Sequence, residues 1–464
     1  MPWRDDLLPE RMARVAIVAP ETRLRRVLVE VAAAGVFEPD QPDTTSEGQF
    51  TSLANQHTGS LANPELSVDP VPADQLSQPD SLPLLLGEAS LEQRQATARP
   101  MHRCSVLPGW IPGPEVDSLR NRIAPFGGAL AEIPVRRGVV APTAHIETSI
   151  GGAFRPLVTT YATVPYRDID PTLFAAASYM LMFGMMFGDV AHGLAIVLLG
   201  FLAKRFGSER APAAFRMAPF LIGAGVAATG FGLLYGEAFG PTGLVPTLWI
   251  RPLDEPGTLL AAGLVVGACL LAVTFILGTV NRWREAGPAV ALYDASGIGG
   301  SLLFIGVVAF AVGTVGSIAS LNQAGIVAGA VGAGLTFIGL FVKAGPGPAG
   351  FAQAIVEMFD TVLRLGSNIV SFTRLAAFGL THAVLTEVTW DGTVSLWNRS
   401  GILAAVAAIA LFILGNLAAF TLGALVGAIQ ALRLEYYEMF SHLFSTQGRP
   451  FEPWHIPTKT LEKL

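Results

Sequence analysis

Charge is scarce in this sequence. Of its 464 residues only 14% are charged and 51% are hydrophobic, whereas a soluble globular chain carries about 25% charge. The deficit excludes an ordinary soluble protein and points to a chain that lies largely in lipid. Two cysteines, Cys104 and Cys269, stand in different regions. Such a pair supports neither a disulfide framework nor a zinc site. No G-x-x-x-x-G-K-S/T segment occurs, which removes a P-loop nucleotide site. The charged start MPWRDDLLPERMARV has no apolar core of a signal peptide. A net charge of −6 gives no case for nucleic acid. No motif calls for a cofactor or a metal.

What charge and proline there is concentrates in residues 1–170. Arg14–Pro20 alternates like a short strand, and Glu21–Gly35 reads as an amphipathic helix stopped by Gly35. A similar unit recurs: Cys104–Gly113 as strand and turn, EVDSLRNRIAPFGG as helix, ALAEIPV as a second strand. Between the two units, residues 40–100 are rich in Pro, Ser, Asp, Gln and Thr and read as a polar linker. These features predict a small N-terminal α+β domain.

Apolar runs begin near Pro171. Eight reach or approach the roughly 20 residues that span a bilayer: 172–188, 190–203, 215–238, 258–281, 289–317, 322–342, 351–388 and 400–434. The first two are separated by Asp189 and read as a tight hairpin. Eight spans put both termini on one side, and loop charge tests that count independently, because cytoplasmic loops are enriched in Lys and Arg. With the N-terminus inside, the inner loops carry Lys204, Arg205, Arg210, Arg216, Arg282, Arg284 and Lys343, and the outer loops only Arg251 and Arg399. Glycines four apart, such as Gly184/Gly188, Gly232/Gly236 and Gly423/Gly427, fit close helix packing. The expected architecture is therefore a polytopic α-helical membrane protein of about eight transmembrane helices, the last two long and tilted. Residues 171–440 form its membrane domain and 441–464 a cytoplasmic tail.

Run 351–388 carries Asp360, Arg364, Ser367, Ser371, Arg374 and His382, a spacing that places them on one face of a single helix. A polar stripe on an apolar helix lines a partner surface or a water-filled path. Arg374 costs roughly 2.5–3.5 kcal/mol at a helix centre on insertion scales, and arginine cannot shed its charge. Two readings are open: a buried Arg paired with a carboxylate of its own chain, or a functional cation. No acidic partner is evident at that depth, since Asp189 and Glu237 lie toward the outer ends of their helices. The sequence therefore points to a carboxylate from another subunit. On the last span Gln430, Arg433 and Tyr437 stand at i, i+3, i+7. Arg433 there is equally well read as snorkelling to the interface.

At these residues the chain resembles the a/I subunits of V-type and archaeal-type rotary ATPases. Four segments carry the resemblance: Asp168–Gly193, Gly232–Gly240, Ser367–Leu385 and Ala431–Trp454. RVAIVAP and the LPGWIP segment look like two halves of the family's cytoplasmic domain. The resemblance implies a stator with two offset half-channels beside a proteolipid c/K ring, coupling H+ or Na+ translocation to ATP on other subunits. It implies Arg374 as the essential arginine and Arg433 as a second one beside Gln430. Asp360, Ser367, Ser371, His382, Gln430, Asp189 and Glu237 are the expected half-channel residues. Implied partners are the ring, the peripheral and central stalk subunits and the bilayer. The implied location is a bacterial or archaeal plasma membrane, with both termini cytoplasmic. Two departures stand out: Gly423 replaces a family glutamate, and the family's long coiled coil between the two half-domains is missing. A stand-alone secondary ion transporter is the alternative, although no internal repeat of the kind such folds show is visible.

Overall fold

The computed structural model describes residues 9–459, apart from 41–48, 56–62, 73–75, 77–80, 136–138, 145–150, 211 and 445–446. The chain divides into two compact units. One comprises Leu8–Ile146 and Gly448–Leu464, the other Met1–Leu7 and Glu147–Gln447.

The first unit is built on an antiparallel sheet. Strand Met12–Pro20 pairs along its whole length with Cys104–Pro112 and also with Ala129–Glu132, and Glu38–Pro39 adds to the outer edge of Cys104–Pro112. Helices Leu24–Ala34 and Val116–Ile123 bury Val27, Leu28, Val31, Leu119 and Ile123 in the core with Val15 and Ile17. Gly35 ends the first helix in the left-handed region at φ 63°, where a side chain would be strained, and its N–H bonds the Val31 carbonyl. Two segments differ from their sequence reading. The stretch 40–100 is not uniformly a linker, because helices Gln49–Asn55 and Leu82–Thr97 lie within it. Leu85 and Leu91 of the second helix are buried, which its dense apolar start, LPLLL, supports. Much of the remaining linker lies outside the described residues. The end of the expected tail also belongs to this unit. Trp454 and Ile456 sit in its core, and their N–H groups bond the carbonyls of Phe37 and Ala32.

The second unit is helical. Among the described residues, seven helices or helix pairs are long and apolar enough to cross a membrane: Val190–Gly207, Ala214–Tyr235, Pro256–Ala286, Pro288–Val315, Ala319–Ala344, Pro348–Trp397 and Ile402–Leu443. The first expected run, 172–188, forms helix Thr172–Met186, whose 15 residues fall short of a span. It is an interior element: Ala175, Tyr179, Met182, Phe183 and Met186 are buried in the largest apolar cluster. The chain turns at Phe187–Asp189 and re-enters a helix at Val190. Gly232 makes that turn possible, since a Cβ there would lie 2.3 Å from the Val190 nitrogen. Another intimate pair, Ile298–Val315 with Ala319–Ala344, closes at Gly306, where a Cβ would come 2.3 Å from the backbone of Gly329.

Run 351–388 is not one helix. Helix Pro348–Ser371 and helix Thr373–Trp397 meet at Phe372. There the Phe372 N–H bonds the Ile369 carbonyl at 3.1 Å and the Leu375 N–H bonds the Phe372 carbonyl at 3.0 Å. These i→i−3 bonds tighten the joint. Phe372 is fully buried, its ring filling the space that a Cβ on Gly267 would occupy. The burial of one aromatic side chain thus interrupts a stretch that is helical by composition on both sides.

Candidate functional site

The joint splits the predicted polar stripe. On the first side, Asp360, Arg364 and Ser367 are exposed and Ser371 is half-buried, with Asp360 and Arg364 forming an ion pair one turn apart. On the second, Arg374 is half-buried at the first turn of its helix and His382 is buried two turns on. The residues of the stripe thus lie on two helices and differ in exposure.

Arg374 has a carboxylate partner in its own chain. Its Nη1 donates to Glu438 Oε1 at 3.2 Å, with side-chain exposures of 28% and 6% respectively. This corrects the expectation that its counter-charge must come only from another subunit. The helix Ile402–Leu434 continues into a π-helical turn, Glu435–Phe440. Both Glu435 and Glu438 are buried within this turn. Glu435 accepts a hydrogen bond from Ser178 Oγ at 3.4 Å. A second carboxylate oxygen on each of Glu435 and Glu438 is buried without a partner among the described residues. A guanidinium at a helix start opposes the helix dipole, and Glu438 offsets that cost. Asn368 and His442 are hydrogen-bonded at 2.8 Å.

Arg433 and Tyr437 are exposed on successive turns that continue the exposed residues Leu425 and Ile429. Gln430 is half-buried, and its Oε1 is buried without a partner among the described residues. Arg433 and Arg374 thus occupy different settings: one presented outward, the other held by an internal carboxylate.

The remaining expected residues meet elsewhere. Asp189 is fully buried at the start of helix Val190–Arg210 and acts as its N-cap, Oδ1 accepting the His192 N–H at 2.9 Å. Its Oδ2 accepts the Gly240 N–H at 3.1 Å. His382 lies against His192, ring centres 5.5 Å apart, and against Phe187 at 4.7 Å. Gly423 leaves room for this ring, since a Cβ there would fall 2.6 Å from His382 Nδ1. Glu237 is buried on the loop whose Gly240 caps Asp189, and its carbonyl accepts the Val190 N–H. It lines a cavity of about 60 Å³ with Arg251, Asp254 and Glu387.

His192, Glu435 and Glu438 were not singled out from sequence. His192 is three residues from Asp189, and Glu435 and Glu438 are also three apart, a spacing that marks a shared helical face. A third cluster was read only as loop charge. Arg282 is buried, pairs with Glu285 and lies 3.9 Å from Asp294. Nearby Asp168 is fully buried, and burial, reinforced by the charge of Glu285 and opposed by Arg282, pushes its carboxyl up to about 7.

The V-type ATPase 116 kDa subunit family model matches residues 96–250. Three archaeal proteins described as A-type ATP synthase subunit I are similar over much of the chain. That of Aeropyrum pernix is 30% identical over 388 residues, 72% of this chain and 55% of its own. That of Archaeoglobus fulgidus is 27% identical over 401 residues, 75% and 58%. That of Pyrococcus horikoshii is 24% identical over 364 residues, 75% and 53%. The chain spans about half the length of these relatives. With seven apolar spans among its described residues it is an integral membrane protein, similar over residues 96–250 to the V-type ATPase 116 kDa subunit family and over much of its length to archaeal A-type ATP synthase subunit I.

Proposed function

We propose that this chain is the ion-conducting stator subunit of a rotary V/A-type ATPase, working beside a proteolipid ring and joined to peripheral and central stalk subunits. The observation that carries the reading is Arg374. It is a permanent cation in an apolar helical unit, only partly shielded by Glu438 and still 28% exposed.

A ring carboxylate that is neutral in lipid, protonated or with Na+ bound, becomes stable in its charged form beside this guanidinium. An opposite charge within a few ångström lowers a carboxyl pKa by about 1–3 pH units. Its ion then leaves by one half-channel, and the next carboxylate is loaded from the other. Arg374 also repels cations and so prevents a direct leak between the two paths. Arg433, outward-facing on the last helix, is the second cation met by the ring, with Gln430 beside it. Asp360, Ser367 and Ser371 line the cytoplasmic half-channel, and Asp189, His382 and Glu237 the outer one. Both termini are cytoplasmic, and nucleotide chemistry takes place on other subunits. The driving energy is about 2.3 kcal/mol per charge per 100 mV.

Purification of the tagged chain in a mild detergent tests the assembly. The reading expects a proteolipid ring and soluble ATPase subunits to accompany it. A lone monomer that transports ions without ATP would instead establish a secondary transporter.

A further inference from the structure

The buried group formed by Asp189, His192 and His382 has more ligand capacity than its protein contacts use. One oxygen or ring nitrogen from each residue lies within 4.8 Å of the others. All three side chains are more than nine-tenths buried. All four imidazole nitrogens lack a hydrogen-bond partner among the described residues. Each buried polar atom left unmatched costs about 1–3 kcal/mol, so four at one point mark a place built to receive something polar. The two rings stand near a right angle to each other, at 68°, with centres 5.5 Å apart, and Asp189 Oδ1 is 3.7 Å from His192 Nδ1. Asp189 is anchored by the His192 and Gly240 N–H groups and retains lone pairs on both oxygens.

We propose that these three residues form a site for one divalent transition-metal cation, Zn2+ being the best match. Two imidazoles and one carboxylate are a borderline-soft donor set suited to zinc. Tetrahedral zinc holds nitrogen at about 2.0–2.1 Å and oxygen at about 2.0–2.2 Å. The three ligand atoms must draw together by roughly an ångström, which small rotations of the two rings supply, and a water completes the coordination. Access is favoured by charge. The loop that caps Asp189 also lines the cavity holding Glu237, Asp254 and Glu387, three carboxylates against the single cation Arg251. Phe187, Phe239 and Phe420 pack around the rings and hold the site's other walls.

The consequence for transport rests on the half-channel reading of Asp189 and His382. If ions pass here, a bound Zn2+ occupies the proton-accepting nitrogens and plugs the path. Binding itself does not depend on that reading, so the two are measured separately. Purified complex is dialysed against buffered Zn2+ and the retained metal is counted per chain. The visible spectrum of Co2+ introduced in its place reports tetrahedral nitrogen–oxygen ligation. The expected result is one metal per chain, with affinity reduced at least tenfold in His192→Gln and in His382→Gln. Glutamine preserves bulk and hydrogen bonding but is a poor zinc ligand, and thermal unfolding of each variant confirms that it is folded. Equal metal content in the wild type and both folded variants overturns the proposal, as does the absence of any metal specific to the wild type. In parallel, ATP-driven pumping is followed with Zn2+ added and then chelated. Binding at these residues without inhibition sustains the site and refutes the half-channel reading. Loss of pumping in His382→Gln without any metal binding does the reverse.

Discussion

Replacing Glu438 by glutamine removes the carboxylate that holds Arg374. The pair is a charge-assisted contact of 3.2 Å in which the acid is nearly buried and the arginine is 28% exposed. A hydrogen bond between charged groups contributes about 1.5–3 kcal/mol. Breaking a fully buried pair costs roughly 3–5 kcal/mol, but the partial exposure of Arg374 places this one toward the lower range, near 2 kcal/mol. That corresponds to about a thirtyfold loss in the population of correctly held guanidinium. Glutamine keeps the side chain's size and one acceptor oxygen, so packing is preserved and the charge term is isolated. The assay is ATP-driven ion uptake into vesicles carrying the reconstituted complex, normalised to ATP hydrolysis. Uptake per ATP should fall at least tenfold in Glu438→Gln, and Glu438→Asp should recover part of it. The Gln complex should also melt earlier. Wild-type uptake and unchanged thermal stability in the Gln variant would refute the idea that Glu438 positions Arg374.

Two further outcomes follow from other parts of the chain. Asp168 has its carboxyl raised to about 7 by burial, against an ordinary value near 4, so the folded state favours its neutral form. It therefore costs nothing below pH 4, costs increasingly up to pH 7, and costs its full amount above. Asp168→Asn should gain on the wild type by up to about 1.4 kcal/mol per pH unit across that window. Melting curves at pH 5 and pH 8 check this, and a constant gap between the two proteins would count against it. Trp454 is buried in the core of the first unit, where its indole N–H bonds Ser90 Oγ. Trp454→Ala should cost about 3–5 kcal/mol there, seen as early proteolysis of that unit. Wild-type protease resistance would show that the C-terminal segment is dispensable to it.

Much of the architecture was legible because lipid imposes a simple rule on composition. Apolar runs of sufficient length became helices, and the break at Asp189 fell where the charge interrupts two runs. Gly35, with its φ of 63°, closed the helix it was expected to close. What escaped depends on contacts between distant segments. Nothing local marks Phe372 as a joint; its burial against Gly267 does. The pairing of Arg374 with Glu438 requires residues 64 apart to meet, and it requires a π-helical turn that propensity alone does not announce. Glu435 and Glu438 follow the last apolar run, yet both lie buried in that turn. Trp454 and Ile456 are two of several apolar residues scattered through a polar tail. Their destination, the core of a unit formed by residues hundreds of positions earlier, is a tertiary fact. His192 shows a milder case: it lay three residues from an expected site residue and gained meaning only when His382 arrived from another helix.

Arg374 is the point on which the account turns, and ATP-driven ion uptake by an Arg374→Ala complex addresses it most directly. The account predicts a complex that assembles with its ring, hydrolyses ATP on its soluble subunits and shows no coupled uptake, with Arg374→Lys no better. Uptake at the wild-type rate in the assembled Arg374→Ala complex would contradict it.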